Sequence, residues 1–197
     1  MIRFGQVVIL SLAISLPALR ADEKPAFQWQ PPKVGAGLFT DELGMLDRER
    51  EEYATNLATY AINRVADAKA SVASLAEARR LLAVSLHLSP RNKKALVANY
   101  QLSRGMVPEK VESDYSAEVL ARLLYTRAQM LRQQGGADDQ LLARMFVELA
   151  AEFDPRNEDV VYASEIQRLD HGRIDWNDVT DVKPAPEPVE TPDPELP

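Results

Sequence analysis

From Thr40 to about Leu169, apolar residues recur three and four positions apart. That is the spacing of one face of an α-helix, and proline, glycine and asparagine interrupt it at intervals. Leu43, Leu46, Tyr53, Leu57, Tyr60 and Ala61 form the first stripe. They predict a helix that begins with Thr40 as cap, places Asp41 and Glu42 in its positive first turn, and runs to about Ala66. Ser74-Leu75-Ala76-Glu77 has the form of a capping box and predicts a second helix ending near Leu88, stopped by Ser89-Pro90. Asn92 caps a third, which ends near Gly105. Residues 105–113, with Pro108 among them, read as a connection. A fourth helix runs from about Asp114 to Gln134, turning Val119, Leu120, Leu123, Leu124, Ala128 and Leu131 inward, and Gly135-Gly136 breaks it. Asp138 caps a fifth helix carrying Leu142, Met145, Phe146, Leu149, Ala150 and Phe153. Asp154-Pro155 stops that one, and Asn157 caps a sixth to about Leu169. No region alternates in the manner of a strand. The predicted class is therefore all-α, with about six helices.

The flanks differ from this body. Met1-Ile2-Arg3 is a short positive start, and Phe4 to Leu19 follows without a charge. Sixteen helical residues span about 24 Å, less than the hydrocarbon thickness of a bilayer. Pro17 breaks the run, and Ala18 and Ala21 are small enough to precede a cut. Residues 1–21 thus read as a signal peptide for export to a periplasmic or extracellular location; the alternative is an uncleaved membrane anchor. Residues 22–40 hold Pro25, Pro31, Pro32, Gly35 and Gly37 around Phe27 and Trp29, and read as an extended arm whose aromatics dock on the body, with docking on a partner as the alternative. Residues 41–172 are the helical-repeat domain, and 173–197 a disordered tail. From Lys183 onward that tail has six prolines interleaved with acids, too little apolar surface to offset chain entropy.

Two segments of the body match without gaps at an offset of 65 residues. Ala78-Arg79 through Pro90-Arg91-Asn92 aligns on Ala143-Arg144 through Pro155-Arg156-Asn157. Leu81/Phe146, Leu82/Val147, Val84/Leu149 and Leu88/Phe153 agree in kind. An alanine followed by a bulky apolar residue four positions on and a proline twelve positions on resembles the second helix and turn of a tetratricopeptide repeat. The resemblance covers about residues 45–170. It implies antiparallel helical hairpins stacked as a short α-solenoid, with an irregular helical bundle as the alternative architecture. The third helix agrees with stacking. Ala95, Ala98 and Leu102 make one apolar arc and Leu96, Val97 and Tyr100 another, as in a helix packed on two sides.

Composition removes several kinds of chemistry. There is no cysteine, so neither a thiolate metal site nor a cysteine nucleophile can form. The histidines His87 and His171 make no metal-binding pair, and no zinc-protease or phosphate-loop motif occurs. Asp175, Asn177, Asp178 and Asp181 lack the central glycine and closing glutamate of a calcium loop. No catalytic residues, metal or cofactor are assigned. The net charge of −7 places +2 in residues 1–21 and −6 in residues 175–197, leaving a nearly balanced middle. Nucleic acid would demand a basic face, so it is not an expected partner. The expectation is an exported, non-enzymatic helical-repeat adaptor that binds a protein or peptide through Asn63, Lys94, Gln101 and Tyr162. A structural or assembly component held at a membrane by residues 1–21 is the alternative.

Overall fold

The computed structural model describes residues 27–182, which form seven helices and no strand. These are α1 (Asp47–Asp67), α2 (Val72–Leu88), α3 (Lys93–Ser103), α4 (Ala117–Gln134), α5 (Ala137–Phe153), α6 (Glu158–His171) and α7 (Trp176–Thr180). α1 and α2 pack as one antiparallel hairpin, α4 and α5 as another. A third helix follows each hairpin. α2 and α5 start, and likewise end, 65 residues apart, as α3 and α6 start 65 apart. The matching segments therefore belong to two equivalent three-helix units. Ala78 and Ala143, the small residues that open the match, are both fully buried inside helices.

The turn chemistry repeats with the helices. Ser89-Pro90 and Asp154-Pro155 end α2 and α5. Asn92 and Asn157 then cap α3 and α6, each side chain accepting from the backbone N–H three residues on (3.0 and 3.3 Å). The core runs through both units, with Leu57, Leu81, Leu82, Leu124, Leu142 and Phe146 fully buried. Aromatic stacking joins the units, Tyr53 on Phe146 (5.2 Å between centroids) and Tyr60 on Phe153 (4.0 Å). Burial pushes the Tyr53 phenol up to about 12, so it stays protonated and donates to the Leu123 carbonyl at 3.3 Å. The buried Arg127 of α4 crosses to the Gly44 carbonyl at 2.5 Å and to Glu49 of α1 at 3.0 Å.

Several predicted boundaries move. α1 begins at Asp47 rather than at Thr40, and Leu46 of the predicted inward stripe is 78% exposed. Thr40 is held elsewhere: its N–H and hydroxyl both donate to Asp138 Oδ2, at 2.7 and 2.8 Å. Asp138 is thereby spent across the unit boundary, and Gly136, not Asp138, stands at the N-cap of α5. Ser71, three residues before the predicted Ser74, caps α2; Ser74 lies within the helix, its N–H donating to Ser71 Oγ at 3.3 Å. Residues 105–113 contain no helix.

The arm behaves as expected over its described part: Phe27, Trp29, Val34, Leu38 and Phe39 pack on the core. Residues 173–182, by contrast, were expected to start the disordered tail and are folded. Asp175 caps the short α7, and Val179 and Thr180 are buried. Arg79 of α2 clasps both flanks. It donates to the Gln30 carbonyl (2.9 Å), to Thr180 Oγ1 (2.6 Å) and to both oxygens of Asp181 (2.8 Å). A parallel bridge between Lys33 and Asp181 completes the closure. The predicted signal peptide, the first residues of the arm and the tail beyond Val182 lie outside the described residues.

Candidate functional site

The third helices sit differently in the two units, and that creates the main grooves. α3 packs on both α1 and α2. Asn92 Nδ2 donates to Thr55 Oγ1 at 2.8 Å, and Lys94 Nζ to Thr59 Oγ1 at 2.9 Å. The linker after α3 then returns as an extended segment, Met106 to Val111, along the same seam. Asn63 holds it by both halves of its amide, donating to the Val111 carbonyl (3.0 Å) and accepting from the Val111 N–H (2.9 Å). What remains is a shallow apolar groove of about 560 Å³, with Ile62, Val97 and Gln101 on one side and Met106, Val107 and Pro108 on the other.

α6 packs on α5 and stands off α4. A hydrogen bond from Arg132 Nη2 to Gln167 Oε1 at 2.6 Å spans the gap. The open space between α4 and α6 is a groove of about 650 Å³, lined by Tyr125, Gln129 and Arg132 from α4 and by Asp159, Tyr162 and Ile166 from α6. After His171 the chain turns toward α5, where Arg144 Nη2 donates to the Gly172 carbonyl at 3.1 Å, so no linker runs back along this seam.

The two grooves occupy the same place on the two units. At the 65-residue offset, Lys94, Val97 and Gln101 of α3 fall on Asp159, Tyr162 and Ile166 of α6. The connection Ala68–Ser71 is two residues longer than Gly135–Gly136, so α1 and α4 align from their ends at an offset of 67. Ala54/Ala121, Leu57/Leu124 and Ala61/Ala128 are then identical and all buried. The same alignment sets Ala58, Ile62 and Val65 of α1, all buried, against Tyr125, Gln129 and Arg132 of α4. Bulk and polarity on the α4 side hold α6 away where α1 admits α3. The buried Leu102 of α3 correspondingly becomes Gln167, which answers Arg132.

Of the four residues expected to bind a partner, the structure brings Lys94 and Gln101 together in the first groove. Asn63 lies beside it, committed to the linker backbone. Tyr162 lines the second groove and is 69% exposed. Sequence reasoning missed Tyr125, Gln129, Arg132 and Ile166. For the three α4 residues the signal was an alignment of α1 on α4 that allows for the shorter glycine connection; for Ile166 it was the 65-residue match to Gln101.

Other candidate chemistry resolves into structural roles. Asp175 caps α7 and Asp181 pairs with Arg79, whose guanidinium holds the Asp181 carboxyl below the usual carboxylate range. Among the described residues no group of three or more His, Asp or Glu side chains is placed to hold a metal ion. His87 is buried under α7, its Nε2 2.7 Å from the Val179 carbonyl. No helix among the described residues is long and apolar enough to cross a membrane. No protein-family model, curated protein or solved structure matches the chain.

Proposed function

We propose that the chain is an exported, non-enzymatic adaptor of tetratricopeptide-like build that holds a protein or peptide partner on the outer faces of its third helices. The observation that supports this reading is apolar surface on two equivalent helices that the described residues leave uncovered. On α3, Leu96, Val97 and Tyr100 are 46%, 46% and 58% exposed; on α6, Tyr162 and Leu169 are both 69% exposed. Large apolar side chains exposed together on one helix are a mark of an interaction site. Stacked helical units present such surfaces along one side. Export rests on the charged start and apolar run of residues 1–21.

Site-specific photocrosslinking in the producing cell tests the reading. A photoreactive residue in place of Tyr162 or Tyr100 should give a discrete adduct with one protein, absent when the same residue replaces the exposed Glu118 of α4. Identical adducts at all three positions, or none at Tyr100 and Tyr162, would remove the adaptor function.

A further inference from the structure

The first unit contains its own ligand. Met106 to Val111 is an extended, proline-containing segment that lies along the α1–α3 seam, and Lys110 pairs with Asp67 of α1 at 3.0 Å. Among the described residues, none lies along the equivalent seam of the second unit. We propose that the α4–α6 groove holds an extended, proline-containing segment of a partner protein that is basic where the chain's own linker is acidic. This rests on the adaptor reading above and names the partner's chemistry.

The charge argument comes from the alignment of the grooves. Lys93 and Lys94 share the first groove with Glu109 of the linker. In the second unit these two lysines are replaced by Glu158 and Asp159, both exposed in the first turn of α6. Of the two, Asp159 lines the second groove, so a segment lying there in the linker's manner has a carboxylate where the linker has the Lys94 ammonium group, and a Lys or Arg is favoured at the position of Glu109. At the far end Arg132, Arg144 and His171 stand with Asp170, so the preference belongs to the α6 N-terminal end alone. Tyr125 and Tyr162 add two aromatic side chains that Ala58 and Val97 do not supply in the first unit. Aromatic walls suit a proline-containing extended segment, which loses little conformational freedom on docking.

The probe is a fluorescent hexapeptide built on the linker, Met-Val-Pro-Lys-Lys-Val, titrated against the full chain and compared with the parent Met-Val-Pro-Glu-Lys-Val. The basic peptide should bind saturably and about fivefold more tightly than the parent, a single partly exposed charge pair's worth of preference. Its amide shift changes should be confined to α4 and α6. Asp159→Lys should invert the preference, a gain for the acidic peptide that misfolding cannot produce. Absence of saturable binding up to about 5 mM, above the weakest useful affinity, would overturn the proposal. So would equal affinity for the two peptides, shifts centred on α3, or tighter binding of a peptide copying the acidic residues 183–197. If crosslinks at Tyr162 persist while the hexapeptide fails, the adaptor reading stands and only the partner chemistry falls.

Discussion

The two three-helix units share their ladder of helix stops, caps and small buried residues, yet the third helix packs on the first in one and stands off it in the other. In the first, Val65 and Leu102 are buried apolar residues, and Asn63 fastens a strip of backbone along the seam. In the second, Arg132 and Gln167 take those positions and hydrogen-bond across a gap. A few side chains, changed on a retained scaffold, separate α6 from α4 where α3 meets α1. Function in such a molecule is located by asking where the copies disagree, because the agreements are what folding requires.

The largest expected effect falls on the shared scaffold. Phe146→Ala removes a fully buried ring that also stacks on Tyr53 and so joins the units. It should cost about 3–5 kcal/mol, against about 2–5 for Leu82→Ala in the other unit. Denaturant melts check both, and a loss below about 1 kcal/mol for Phe146→Ala would mean that the units do not share a core.

A second comparison sets His87 against its counterpart Glu152, which is partly exposed and pairs with Arg80 at 2.8 Å. Burial lowers the His87 pKa from its ordinary 6.5, opposed in part by the bond to the Val179 carbonyl, and Nδ1 has no partner. The folded state therefore binds a proton less readily than the unfolded state. Stability from the neutral ring is complete above pH about 6.5 and is lost as the pH falls below it. Melting temperatures at pH 7.5 and 5.5 should show a drop that His87→Phe diminishes; an unchanged drop would assign the acid sensitivity to other groups.

Asn63→Ala should open the first groove, since it removes both bonds to Val111. The expected loss is about 1–2 kcal/mol, with faster hydrogen exchange at the Val111 amide as the local readout. Protection that survives the substitution would show that packing, not Asn63, holds the linker. The smallest effect is expected at Tyr162. Exposed as it is, Tyr162→Ala should change stability by no more than about 0.5 kcal/mol while weakening binding of the basic hexapeptide. A larger loss of stability would make Tyr162 part of the scaffold rather than of the groove.

The sequence carried the scaffold well and the groove poorly, for physical reasons. Ser89-Pro90-Arg91-Asn92 and Asp154-Pro155-Arg156-Asn157 are local instructions: proline ends a ladder of hydrogen bonds and asparagine starts the next, whatever lies nearby. Asp138 and Thr40 misled because either could serve as a cap, and the pair instead met across the unit boundary, 98 residues apart. The short α7 has too few turns for a periodic signal, and its order comes from His87, Arg79 and the buried Val179. Tyr162 was named as a candidate binding residue from the sequence, and the structure places it on one wall of the groove. Tyr125 and Arg132, on the other wall, read as ordinary members of α4. What gives them meaning is the contrast with Ala58 and Val65, and that contrast needed the two units superimposed.

The pairing of Lys33 with Asp181 has a mechanical consequence. Because the two segments run parallel, a pull applied at Phe27 and at Val182 acts on them in opposite directions along their common axis. The two backbone hydrogen bonds of Lys33 and the four donated by Arg79 are then loaded together in shear rather than opened one after another. If the chain is tethered on one flank and tugged on the other, tension is borne first by this clasp, and the helical units behind it are spared until it gives way.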